Sequence, residues 1–305
     1  MATLLARAVR ETFRRERIPT RLLWWFSAEG MADWFSLLRE QLAPHLAPPP
    51  ARDFDLDHSA RVLAEVARPM LERRYELLRA SFPHLPDRVL DPRAPGLVLG
   101  ALYRIASYPS ARWIFAPLGG APRTFREHLF AERAIAPMPL ASRWMELTAH
   151  LGELLVSITE RMPAHLPRVR PILGEICFSA GERFARRMKR AFELETTPAS
   201  ALELLRMSEY VFRVNPDHWG GADPASNTGW LEGTACPWYD APGWNGAHCG
   251  IFGQFQSGIA SAFGLRYQLT STVPKHGGHV CRIDVRPLEL TTLGTKKKSS
   301  AEVPS

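Results

Sequence analysis

Cysteine is scarce: Cys177, Cys236, Cys249 and Cys281 are the only four in 305 residues. So few in so long a chain exclude the disulfide framework of small secreted domains, and they are read as reduced thiols or metal ligands. Also lacking is any run approaching the roughly 18 charge-free apolar residues of a membrane span. Even "APGLVLGALYRIASYP" is broken by Arg104 and flanked by prolines. The N-terminus, "MATLLARAVRETFRRERIPTRLLWWF", scatters Arg among apolar residues. It shows no charged start, apolar run and small-residue cleavage site in succession, so export is not expected and a soluble cytoplasmic protein is. Finally, the net charge of +7 is not gathered on one element, because Lys and Arg recur along amphipathic segments, often beside Glu. That argues against a nucleic-acid partner. The exception, Lys296 to Lys298, lies in a 291–305 stretch with the composition of a disordered basic tail.

An apolar content of 46% lets the chain bury a sizeable core. Residues 1–165 read as helical. In "DHSARVLAEVARPMLERRYELLRASF", Asp57 is a candidate N-cap, and Val62, Leu63, Val66, Met70, Leu71, Tyr75 and Leu78 recur every three or four positions. "LASRWMELTAHLGELLVSITERM" carries Trp144, Leu147, Leu151, Leu154, Leu155 and Ile158 on one face until Pro163 stops it. Residues 166–290 read as a second unit. Helical spacing continues through "RVRPILGEICFSAGERFARRMKRAFELE", and β-type runs and turn residues follow beyond about residue 208. "YVFRV" is a candidate strand, "GWLEGTAC" a weaker one, and "NPDHWGGADPASN" a loop of turn formers or a substrate-binding loop containing His218 and Trp219.

The last part has the clearest pattern. In "NGAHCGIFGQFQSGIASAFGL", Ile251, Phe252, Phe255, Ile259, Ala262 and Phe263 share one face at 100° per residue, with Asn245 as N-cap and Gly264 as stop. "RYQLTSTV" and "HVCRIDV", joined by "PKHGG", read as an antiparallel hairpin in which Cys281, Ile283 and Val285 point inward. The fold class expected is therefore α+β: a helical N-terminal region followed by a small domain of antiparallel sheet and packed helix.

Chemistry concentrates in "ACPWYDAPGWNGAHCG". His248 heads the apolar stripe of the following helix. The positive helix start disfavours a protonated imidazole and favours a thiolate, so a neutral His248 and an acidic Cys249 are expected. If that helix packs on the hairpin, Cys236, Cys281 and either His248 or Cys249 form a soft set suited to zinc or iron. The alternative is that these are unreactive core cysteines. His276 and His279 lie at the hairpin tip, either exposed or supplying a ligand or general base. Trp219, Trp238, Tyr239 and Trp244 either pack in the core or wall a pocket for a small flat ligand.

"ACPW", then "AHCGIFGQFQSGIASAFGL", then "RYQLTSTVPKHGGHVCRIDV" resembles the small α/β domain of the 4-vinyl reductase-like proteins and the L-2-amino-thiazoline-4-carboxylic acid hydrolase family. The resemblance covers about residues 175 to 290. It implies that Cys236, Cys249 and Cys281 are metal or pocket residues, while His279, in the hairpin tip, departs from the family and is a ligand candidate on the residues alone. On the hydrolase side it implies water-driven opening of a small nitrogen heterocycle at a C=N carbon, with a cysteine-bound metal or the Cys249 thiolate activating water or attacking and His248 or His276 moving protons. The Trp-rich loop departs from the family, and His218, Trp219, Trp238, Tyr239 and Trp244 are substrate-binding candidates on the residues alone. On the other side it implies a sensory module that binds a small molecule without turnover, with zinc nearby. A biosynthetic enzyme with changed chemistry is the third alternative. The partner is a small molecule in each case, and a homodimer is compatible with all three.

Overall fold

The computed structural model describes residues 4–46, isolated positions between 62 and 83, and residues 139–212, 217–272 and 280–288. Among these, α1 is Leu4–Arg14, α2 Thr20–Leu46, α3 Leu140–Arg161, α4 Val169–Ala191 and α5 Pro198–Val211. Then follow β1 His218–Asp223, β2 Thr228–Gly233, α6 Gly246–Ser261, β3 Leu265–Ser271 and β4 Cys281–Pro287. The fold is α+β, with a four-stranded antiparallel sheet of order β1-β2-β4-β3. No helix among the described residues is long and apolar enough to cross a membrane.

The helices form where apolar spacing gives each a face to bury. α4 buries Ile172, Leu173, Ile176, Ala180, Phe184 and Met188, a three-to-four spacing. α3 begins after Pro139 and buries Leu151, Leu154, Leu155 and Ile158; Pro163 then falls in a single 3-10 turn, where its missing N–H does least harm. Val62, Val66 and Met70 are helical and buried as their spacing predicts, and the Ser157 hydroxyl donates to the Val66 carbonyl at 2.8 Å. One continuous core joins Phe13 and Trp24 of the N-terminal helices to Ile283 and Val285 of the last strand.

Two expectations need correction. "YVFRV" is not a strand as far as it is described, because Tyr210 and Val211 close α5. Thr197 caps that helix by accepting from Ser200 N–H at 3.2 Å, Pro198 occupies its first turn, and Leu202, Leu205 and Val211 are buried; this tertiary burial overrides the β preference of Tyr and Val. Nor is "NPDHWGGADPASN" wholly a loop. His218–Asp223 pairs with Thr228–Gly233, and the turn between them has the expected formers: Asp223 accepts from Ala225 N–H and Ser226 Oγ, and Asn227 takes φ +52°.

The sheet's inner face carries Leu231, Ile283 and Val285, all buried. Its outer face is held by Arg282, which pairs with Glu232 (2.6 Å) and Asp284 (3.1 Å) and lies over the Trp230 ring. α6 lies between this sheet and α4. The two helices run in the same direction: Gly174 lies opposite Gln254, Gly181 opposite Phe255 and Gly258 opposite Phe178, while Lys189 near the end of α4 donates to the Ala262 carbonyl. Their backbones nearly touch, since a Cβ on Gly181 would sit 1.8 Å from the Phe255 carbonyl oxygen and one on Gly258 2.1 Å from that of Phe178.

Candidate functional site

α6 assigns its side chains to separate neighbours. Asn245 is the N-cap, as expected; its side chain accepts from Ala247 N–H at 3.0 Å, and its own N–H donates to His248 Nδ1 at 3.1 Å, closing a capping box. His248 is 2% exposed. Because Nδ1 accepts, the ring proton sits on Nε2, which donates to Thr159 Oγ1 at 2.7 Å, and that hydroxyl donates on to the Val156 carbonyl at 2.9 Å. Burial, and then the charge of Arg170, lower the His248 pKa and keep the imidazole neutral. Neutrality was expected, but its main cause is desolvation. Both ring nitrogens are engaged in the fold, so His248 is a structural residue that ties α6 to α3, and it has no nitrogen free to move a proton.

The aromatic segment divides in the same way. Trp238 is 1% exposed, donates to the Thr148 carbonyl at 2.8 Å and fits against Gly152, where a Cβ would come within 2.3 Å of its ring. Trp244 packs between Trp238 and His248, at 4.8 and 5.2 Å between ring centres. These two are core residues. Trp219 and Tyr239 are exposed, and the half-buried His218 ring lies 4.6 Å from that of Tyr210. His276 and His279 fall outside the described residues.

The cysteines behave differently. Gly233 at the end of β2 pairs with Cys281 at the start of β4, so the segment leading to Cys236 leaves the sheet beside Cys281. β3 runs back along α6, placing Tyr267 against Gly253, one turn after Cys249. Three thiols from three segments therefore gather where β2 ends, β4 begins and α6 begins. Electrostatics agree with this placement. Cys236 is pushed up to about 12, first by burial and then by Cys249, Cys281 and Glu209. The Tyr267 hydroxyl is raised well above its usual range by burial and by Glu209, Cys281 and Cys249.

Cys249 is also raised, by burial, against the expectation of an acidic thiol at a helix start. Desolvation of the thiolate outweighs the helix N–H groups. The Trp244 indole N–H faces the sulfur and tempers the rise without reaching hydrogen-bond geometry. Cys177 is separate: it is buried in the core, accepts from Trp34 Nε1 at 3.4 Å and is pushed up to about 12.

Beside the thiols lies a buried polar chain that sequence reasoning missed. The Tyr267 hydroxyl donates to Gln256 Oε1 at 2.8 Å, and Gln256 Nε2 donates to the carboxylate of Glu209, which is 1% exposed. Gln256 follows Cys249 by seven positions, two helical turns along the same face. A Gln within the apolar stripe of α6 and a Glu in the apolar run "ALELLRMSEYV" were the available signals.

The donor set is soft, as zinc or iron prefer. Among the described residues, however, no three His, Cys, Asp or Glu side chains are arranged to hold a metal ion. The described side chains at this end are three thiols, a buried carboxylate and a phenol. No protein-family model, curated protein or solved structure matches this chain.

Proposed function

We propose that the chain is a small-molecule-binding protein whose ligand, a small flat heterocycle or a similarly weakly polar molecule, is held at the Cys236–Cys249–Cys281 end of the sheet. The observation that carries this reading is the gathering of three of the four cysteines with Glu209, Gln256 and Tyr267 at one place. Protonated thiols offer a soft, weakly polar surface. The Tyr267 hydroxyl, whose proton goes to Gln256, and the Glu209 carboxylate supply acceptors of fixed position.

A second reading is that of a hydrolase opening a nitrogen heterocycle at a C=N carbon, and the buried Glu209 favours it. Water would add across the C=N bond, its oxygen to carbon and one proton, through Glu209, to nitrogen; the carbon–heteroatom bond would then break as the hydroxyl becomes a carbonyl and its proton passes, again through Glu209, to the leaving heteroatom. Neither the raised thiol pKa of Cys249 nor the committed nitrogens of His248 favour these residues as nucleophile and base.

The test is a thermal-shift screen of the full chain against small thiazolines, cyclic amidines and aromatic heterocycles, repeated with Cys249→Ala and Glu209→Gln. A compound that stabilises the wild type, protects Cys249 from alkylation and loses its effect in Cys249→Ala supports the binding reading. Gain of one water by that compound, abolished in Glu209→Gln, supports the hydrolase. Stabilisation that persists in both variants would place the ligand elsewhere and sink both readings.

A further inference from the structure

A hollow of about 330 Å³ lies between the end of α1, α5 and the β1–β2 hairpin. Its volume is at the lower end of the range for small-molecule sites. Phe13, Leu202 and Leu231 give it an apolar wall, and Arg14, Arg206 and Tyr210 a polar one. At Gly220 the strand presents bare backbone, since a Cβ there would come within 2.4 Å of the Trp230 carbonyl oxygen.

Two arginines and two glutamates line the hollow, equal in number but not all paired. Glu203 is taken up by Arg10 through two bonds of 2.5 and 2.8 Å. Glu16 lies against the Tyr210 hydroxyl, which burial, followed by Glu16, pushes up to about 12, so that it stays a protonated donor. Arg14 reaches Glu11 at 3.9 Å. Arg206 has no acidic partner among the described residues, and its Nε is buried without a hydrogen-bond partner. A guanidinium with an open, buried N–H beside an apolar wall is complementary to one planar anion attached to an apolar body. A dianion fits less well, because Glu16 and Glu203 line the same hollow.

We propose that this hollow binds a small amphipathic carboxylate, with its carboxylate on Arg206 and its apolar body against Phe13, Leu202 and Leu231. This site is independent of the thiol site.

Octanoate and its neutral isostere octanamide separate charge recognition from apolar contact. In isothermal titration of the full chain, octanoate should bind at least about tenfold more tightly than octanamide, the equivalent of one charge-assisted contact. Arg206→Gln should abolish that preference at an unchanged melting temperature, since Arg206 makes no bond among the described residues that its loss would break, and Arg206→Lys should keep part of it. Ala222→Leu, which narrows the hollow from the exposed strand, should weaken both compounds. Equal affinity for the two compounds would overturn the proposal, as would no binding of octanoate at millimolar concentration or full binding by Arg206→Gln.

Discussion

Gly181→Ala is the variant for which two physical effects predict opposite signs. Helix propensity alone favours Ala in the interior of α4, by about 1 kcal/mol. The tertiary contact opposes it. The added Cβ would sit 1.8 Å from the Phe255 carbonyl oxygen and 2.7 Å from its carbonyl carbon. Non-bonded carbon contacts are comfortable near about 3.5 Å, so α4 and α6 would have to part by roughly 1.5 Å at this point. Both atoms belong to backbone, so no rotamer change relieves the overlap. Parting the helices also strips packing from Phe184 and Phe255, whose rings lie 5.9 Å apart, and a gap of even about 1 Å forfeits up to roughly half of each contact's attraction. Overpacking of this kind costs about 3 kcal/mol or more, leaving a net loss of about 2 kcal/mol after the propensity gain.

Urea unfolding followed by tryptophan fluorescence and circular dichroism measures this directly. A fall in melting temperature of roughly 3 °C should accompany it in a chain of 305 residues. Gly250→Ala is the matched control on α6, because a Cβ there meets nothing within 4 Å; it should be neutral or stabilising by up to about 1 kcal/mol. A Gly181→Ala protein as stable as the wild type, with an unchanged denaturant slope, would refute the close approach of the two helices.

Three further outcomes are expected. Thr159→Val leaves the buried His248 Nε2–H without an acceptor and should cost about 1–3 kcal/mol in urea unfolding, while Thr159→Ser should restore most of it. Because the folded His248 has a lowered pKa, the unfolded chain takes up a proton first as pH falls through about 6.5; stability should be complete at neutral pH and above and decline on acidification. His248→Gln, which keeps a side chain suited to the third position of a capping box, should flatten that decline when melting temperatures are compared between pH 8 and 5. Toward a thiol reagent in the native state, the half-buried Cys249 and Cys281 should react slowly at pH 7 and faster at higher pH. Cys177 should react only on unfolding; its reaction at the same rate as the other two would contradict its burial against Trp34.

Much of the fold was legible in the residues. The stripe from Ile251 to Phe263, the Asn245 cap and the alternation of Ile283 and Val285 specify a helix and a strand through spacings of 3.6 and 2, which are local properties of the chain. The candidate site was legible only in part. That Cys236, Cys249 and Cys281 belong together follows from sheet register and the return of β3 along α6; His248 belonged with them in sequence but not in space. One residue along a helix turns a side chain by about 100°, so Cys249 faces the sheet while His248 faces Thr159 of α3.

The chain by itself determined most of its helices, the inner face of β4 and where α6 starts, because periodicity and capping act over a few residues. Tertiary structure alone decided that His248 is a tie between helices, that burial raises the Cys249 thiol, and that Glu209, Gln256 and Tyr267 form one buried chain. Those properties depend on burial and on partners up to 89 positions away, such as Thr159 for His248, and hydrophobic spacing carries no record of such partners.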